Sequence, residues 1–260
     1  MTDITLLDGE RIDAVNEKIN LIQKKDGLTF GTDAFLLASF IKPRAHGRAA
    51  ELGAGTGIIS LLLAAREKFG SICAFEIQED FAELARRNTA LNSLDGKIDV
   101  VCRDVRDIRS QEYGEFDAVF TNPPYMKTES GKRNESDYKY IARHEVCGSI
   151  DDFCAAAFRL LKHGGKFYAV WRPDRLCDLL CAMRNNRLEP KIVTPVAADA
   201  ESAPSMVLVS GIKGGAPSME LTAPLILYAD GGRGEMSERA KKIYETLSFE
   251  KKKTEDIWKT

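Results

Sequence analysis

From Arg48 onward, short runs rich in β-forming residues alternate with stretches whose apolar positions recur at helical spacing, the pattern of βαβ units around a mostly parallel sheet. "RAAEL", residues 48–52, predicts a first strand, and "IISLLLAAREKF", residues 58–69, a helix. "SICAFEI" (71–77) predicts a second strand, and "QEDFAELARRNTALNS" (78–93) a helix with Phe81, Leu84, Ala85 and Leu91 near one face. "KIDVVCRD" (97–104) and "FDAVFTN" (116–122) supply a third and a fourth strand. "SIDDFCAAAFRLLKHGG" (149–165) reads as a helix capped by Ser149 at its start and Gly164 at its end, and "KFYAVWR" (166–172) as the fifth strand.

A helix over "PDRLCDLLCAMRNN" follows, with Pro173 tolerated in its first turn. "LEPKIVTPVA" and "APSMVLVSGIK" then have no helix between them, which predicts a hairpin adding antiparallel strands to the sheet edge. The expected fold is therefore α/β, with a mostly parallel seven-stranded sheet, and five parallel strands finished by a reversed edge pair is the order of the class I (Rossmann-like) methyltransferase fold. Residues 1–47 predict a strand or two and a helix from Thr32 into Pro43. Residues 216–260 predict one strand, a glycine-rich turn, an amphipathic helix and a charged tail. Both are expected to pack as short extensions on a catalytic core of residues 48–215, giving a single domain.

Composition narrows the partners. A 260-residue chain that is 44% hydrophobic can bury a substantial core, and its net charge of -2 offers polyanions no global attraction, so an RNA would need a local patch. No apolar run approaches the ~20 residues that span a bilayer. The opening "MTDITLLDGER" lacks a basic start and an apolar stretch, so a soluble, cytoplasmic protein is expected. The six cysteines form no C-x-x-C, and several lie in apolar runs, which predicts buried thiols and no metal site.

The chemistry is concentrated at predicted strand ends. "ELGAGTGI" places Gly53, Gly55, Thr56 and Gly57 between the first strand and a helix, where a ligand can approach the backbone closely and exposed N–H groups favour an electronegative group. The spacing is G-x-G-x-G, which differs from the G-x-G-x-x-G of dinucleotide loops, and the acid before it, Glu51, would repel a pyrophosphate but could accept the ammonium of a methionine moiety. Glu76, with Ile77 after it, ends the second strand and is placed to accept hydrogen bonds from two ribose hydroxyls. Asp104 and Val105 after the third strand are placed to meet an adenine, with Asp107 as a substitute acid. Together these point to S-adenosylmethionine, with S-adenosylhomocysteine as product.

The fourth strand ends in Asn122, Pro123, Pro124 and Tyr125, beside the crevice where such a cofactor reacts. Asn122 offers an amide oxygen, the prolines remove two N–H donors so that the turn presents carbonyls, and Tyr125 offers a ring for stacking. This set suits a planar NH2 group: two acceptors can draw its nitrogen toward tetrahedral geometry and aim its lone pair at a sulfonium methyl without a strong base. Which amine it is, the motif leaves open.

These motifs resemble those of the NPPY class I methyltransferases, most closely the bacterial tRNA1(Val) adenine-37 N6-methyltransferase family. "ERIDAVNEKINLIQKKDGLTFGTDAFLLASF", "ARHE" and "ESAPSMVLVSGIKGG" extend the resemblance over nearly the whole chain, although Ala14 and Val15 stand where an acidic and an apolar residue are commoner in that family. The resemblance implies N6-methylation of a tRNA adenine; no membrane partner and no obligate protein partner is expected. It also implies that Gly31, Thr32 and Asp33 close over the methionine end of the cofactor.

The polar segment after the motif carries Lys127, Lys132, Arg133, Lys139 and Arg143 against four acids, with Tyr138 and Tyr140 interleaved, and could order over a nucleotide or stay solvated. Lys127, Lys132, Arg133, Arg143 and His144 are the candidate RNA contacts. Rival readings are methylation of guanine N2 in ribosomal RNA, of DNA adenine or of protein glutamine, and a non-catalytic RNA-binding protein that kept the fold.

Overall fold

The computed structural model describes residues 5–25, 31–123, 148–229 and 234–249. The chain opens with an antiparallel hairpin of β1 (Glu10–Asn16) and β2 (Ile19–Lys24), followed by α1 (Thr32–Phe40). The central alternation is β3 (Arg44–Leu52), α2 (Ile58–Ala65), β4 (Phe69–Glu76), α3 (Glu79–Leu91) and β5 (Ile98–Cys102). A 3-10 turn (Val105–Asp107), the short α4 (Ser110–Tyr113) and β6 (Phe116–Thr121) lead to α5 (Ile150–Leu160) and β7 (Leu161–Trp171). After a 3-10 turn at Pro173–Arg175 come α6 (Leu176–Asn185), β8 (Leu188–Ala197) and β9 (Met206–Lys213). Two-residue strands β10 (Glu220–Leu221) and β11 (Leu225–Ile226) precede α7 (Glu238–Thr246).

Strands β3 to β11 form one nine-stranded sheet in the order β10-β8-β9-β7-β6-β3-β4-β5, with β11 also pairing β8. The seven expected strands are all present, and β10 and β11 extend the edge. The expected hairpin forms, but β9 inserts between β7 and β8 and is antiparallel to both. Only β9 is therefore reversed, while β8 runs with the parallel strands. A hairpin reverses direction once, and insertion of its second strand restores the first to the common sense.

Two apolar layers cover the sheet. One gathers Leu36, Leu37, Leu61 and Leu62 from α1 and α2 with Ile19 and Leu21 of the hairpin and Ile243 of α7, all buried. The other gathers Phe153, Ala157 and Leu160 of α5 with Leu179 and Met183 of α6. Both flanking segments thus share the core. Tyr244 of α7 stacks on Phe35 of α1, with ring centroids 4.8 Å apart. The ammonium of buried Lys68 donates to the carbonyls of Ala38 (2.9 Å) and Ile41 (2.8 Å), satisfying the C-terminal end of α1.

Ser149 caps α5 as expected, in a capping box with Asp152. Gly164 does not end this helix. The helix stops at Leu160, because Phe116 of β6 already pairs with Leu161, and the extra residues before Lys166 bulge out with Gly164 at φ +73°. The helix expected over 58–69 likewise ends at Ala65, and Phe69 begins β4, where it pairs with Arg44.

Candidate active site

Parallel strands β3, β4, β5 and β6 all end on one edge of the sheet, and the chemistry-bearing residues follow those ends. Leu52 ends β3 and Thr121 ends β6, and the buried Thr121 hydroxyl donates to the Leu52 carbonyl at 2.8 Å. This bond joins the turn that begins at Asn122 to the loop that begins at Gly53.

The glycine loop is shaped by its backbone. The N–H groups of Gly53 and Ala54 both donate to the Phe75 carbonyl of β4, at 2.9 and 3.0 Å. Gly53, Gly55 and Gly57 have φ of +73°, +55° and +80°. Gly57 stands at the N-cap of α2 in the left-handed region that favours glycine, and a Cβ there would also crowd Ala85 of α3 at 3.3 Å.

Glu76 grips this loop from the end of β4. Its Oε2 accepts the N–H of Gly55 at 2.8 Å and its Oε1 accepts the N–H of Gln78 at 3.0 Å. Each carboxylate oxygen has further acceptor capacity for a ribose hydroxyl. Ile77 follows half-buried, and its carbonyl receives the Cys102 thiol at 3.5 Å.

Glu51 is placed differently from the expectation of an acid open to a ligand. It is 1% exposed beneath the start of α2, and accepts from both the backbone N–H (3.1 Å) and the hydroxyl of Ser60. Burial pushes its carboxyl up to about 8, against the opposing effect of Ser60. This group would offer an ammonium a full negative charge only once it has lost its proton.

Asp104 caps the 3-10 turn by accepting from Arg106 N at 2.8 Å, and both its oxygens accept from the Arg106 guanidinium, the Nε at 2.9 Å from each. That guanidinium holds the Asp104 carboxyl below the usual range. The pair is exposed, which makes it a weak and displaceable tie. Val105 is buried, and its carbonyl accepts from Arg159 of α5 at 2.9 Å.

Gly31, Thr32 and Asp33 form the entry to α1, with Gly31 at the N-cap and Thr32 as the first helical residue. Asn122 Nδ2 donates to Asp33 Oδ2 at 2.9 Å, so the entry of α1 and the end of β6 meet. Pro123 is buried behind Asn122. Pro124, Tyr125, Lys127, Lys132, Arg133, Arg143 and His144 lie outside the described residues.

Two residues that matter here carried little sequence signal. Ser60 is the lone polar residue in the apolar run of α2, a hint that it partners a buried acid. Asn88 of α3 is fully buried: its Oδ1 accepts from Ile22 N at 2.6 Å, while its Nδ2 donates to the carbonyls of Ile22 (3.1 Å) and Thr56 (3.0 Å). It thereby ties the N-terminal hairpin to the glycine loop. Among the described residues no group of three or more His, Cys, Asp or Glu side chains is gathered as a metal ion would require.

This arrangement fits a nucleotide-like cofactor: a glycine-rich cradle, an acid bridging to it from the next strand, and an acid beyond the third. Residues 24–182 match the family described as methyltransferase small domain. A tRNA1(Val) (adenine(37)-N6)-methyltransferase of Bacteroides fragilis is 31% identical over 187 residues, covering 72% of this chain and 78% of the relative. Another of that name, from Porphyromonas gingivalis, is 27% identical over 199 residues, with 74% and 77% covered. Among solved structures, a predicted O-methyltransferase from Agrobacterium tumefaciens superposes with a TM-score of 0.68 at 26% identity, covering 84% of this chain and 97% of that one.

Proposed function

Because this chain belongs to the methyltransferase small domain family, we propose that it methylates the N6 amine of an adenine in tRNA, at adenine 37 of tRNA1(Val), the base named for its bacterial relatives. The observation that carries the reading is the meeting of Asn122 with the glycine loop's edge through the Thr121–Leu52 bond. A planar-amine acceptor and a nucleotide cradle thereby share one rim of the sheet.

S-adenosylmethionine supplies an electrophilic methyl group when bound. Gly53, Gly55, Thr56 and Gly57 cradle it, Glu76 and Ile77 hold its ribose, and Asp104 and Val105 border its adenine. Gly31, Thr32 and Asp33 stand at the entry of α1 on its methionine side, and Glu51 is the candidate partner of the ammonium. The side-chain oxygen of Asn122 and the carbonyl of Pro123 accept the two hydrogens of the substrate amine, turning its lone pair toward the methyl group. Tyr125 stacks on the base, and Lys127, Lys132, Arg133, Arg143 and His144 contact the RNA. The amine leaves carrying the methyl and then loses a proton to water.

No helix among the described residues is long and apolar enough to cross a membrane, and a tRNA substrate implies a cytoplasmic enzyme. Residues 1–47 and 216–260 are taken as parts of the same domain as 48–215, supported by the Phe35–Tyr244 stack and the shared core.

The test is methyl incorporation from labelled S-adenosylmethionine into separate samples of tRNA, ribosomal RNA, DNA and protein. Label in tRNA supports the reading; label confined to ribosomal RNA, DNA or protein moves the substrate accordingly. Binding of the methyl donor without incorporation into any of the four contradicts the catalytic reading.

A further inference from the structure

We propose that Asp33 is a positioning residue for Asn122, fixing which end of the amide faces the substrate amine. The proposal rests on the amine-methylating reading above and deepens it. An amide side chain is a fork of nearly equal branches, one accepting and one donating. A substrate amine offers its hydrogens, so only the oxygen branch can receive it; a flipped amide would set donor against donor. Asp33 removes that ambiguity. A carboxylate only accepts, and its Oδ2 lies 2.9 Å from Asn122 Nδ2, so the nitrogen branch is the one directed to α1 and the oxygen branch is turned away from it.

The same bond alters the strength of the acceptor. A hydrogen bond from an amide N–H2 to an anion is charge-assisted and polarises the amide, raising the electron density on its oxygen. The oxygen that would draw the amine hydrogens is thus strengthened by a residue that does not touch the substrate.

A second observation points the same way. Gly31 has extended backbone, φ -106° and ψ 178°, which any residue can adopt. Yet a Cβ there would lie 2.6 Å from Asp33 Oδ1. Glycine at this position therefore leaves room for the Asp33 carboxylate, which reaches across to Asn122 from the first turn of α1, where the helix dipole favours a negative group.

The experiment compares wild type, Asp33→Ala, Asp33→Asn, Gly31→Ala, Asn122→Ala and the Asp33→Ala/Asn122→Ala double variant. Readouts are kcat and KM for tRNA methylation, the calorimetric Kd for S-adenosylmethionine, and Tm. Asp33→Ala is expected to lower kcat ~10- to 100-fold, the size of effect a misplaced reacting group produces, with a much smaller change in cofactor Kd. Asp33→Asn can still accept from Asn122 Nδ2 but carries no charge and can also flip to donate, so its rate should fall between those of wild type and Asp33→Ala. Gly31→Ala should slow the enzyme by displacing the carboxylate, and the double variant should be no slower than Asn122→Ala alone.

A lost cofactor affinity at unchanged kcat would make Asp33 a cofactor contact and overturn the proposal. So would rate losses that multiply in the double variant, or an Asp33→Asn enzyme no faster than Asp33→Ala. If wild type methylates no tRNA, the functional reading fails by itself. The positioning role is then read from Tm: a shared bond makes the losses of Asp33→Ala and Asn122→Ala non-additive, and additive losses overturn it.

Discussion

Glu76 Oε2 accepts the backbone N–H of Gly55 at 2.8 Å, so the acid at the end of β4 holds the glycine loop that follows β3. One carboxylate thereby shapes the cradle and faces its contents. Glu76→Ala should weaken S-adenosylmethionine binding by about 1.5 to 3 kcal/mol, the range for lost hydrogen bonds to a charged group. Glu76→Gln keeps the volume but must turn a donor toward either Gly55 or Gln78, and should also weaken binding. Isothermal calorimetry measures both; a Kd unchanged in Glu76→Ala would move the ribose contact to another residue.

Glu51 makes stability depend on pH. Its carboxyl titrates near 8 in the folded protein against 4.5 for the ordinary group, so between those values the native state holds a proton that the unfolded chain has lost. The stabilisation associated with this proton is complete below about pH 4.5 and is lost as pH rises toward 8. Glu51→Gln cannot titrate, so its Tm relative to wild type should climb from pH 5 to 8.5. A constant difference across that range contradicts the buried, protonated assignment. If Glu51 receives the cofactor ammonium, binding at pH 7 must also release a proton, seen as a dependence of binding heat on buffer ionisation enthalpy.

Asn88 joins three backbone groups of two separate segments, Ile22 N–H, Ile22 C=O and Thr56 C=O, from a fully buried position. Asn88→Ala leaves them unpaired away from water, each at a cost of about 1–3 kcal/mol where no water enters. Urea unfolding should show a loss of at least ~2 kcal/mol, with cofactor affinity also reduced because Thr56 is in the cradle. A loss under ~0.5 kcal/mol, the usual range for surface substitutions, contradicts the tie.

The strand ends are legible in the sequence because βα alternation and glycine spacing are local signals, readable over a few residues. The glycine loop, Glu76 and the turn at Asn122 all fall where the run lengths place them. What escaped depends on pairing over distance. Asp33 and Asn122 are 89 positions apart, and nothing within either segment says that an amide and a carboxylate face each other. Glu51 reads as an open acid because its carboxylate's partner, Ser60, lies in the first turn of the next helix. The expectation that β8 and β9 are both reversed fails for a related reason: a hairpin fixes their relative sense, and only insertion of β9 beside β7 fixes which of them is reversed. Gly164 looked like a helix terminator because a bulge and a helix end ask for the same left-handed glycine.

The central claim is that Asn122 presents an acceptor to an adenine amine in tRNA. It is tested most directly by nucleoside mass spectrometry of tRNA incubated with methyl donor and either wild type or Asn122→Ala. Wild type should produce N6-methyladenosine at adenine 37 of tRNA1(Val); Asn122→Ala should produce it at least ~100-fold more slowly while binding S-adenosylmethionine with unchanged Kd. N6-methyladenosine formed equally by both proteins, or a different methylated nucleoside in its place, would contradict the account.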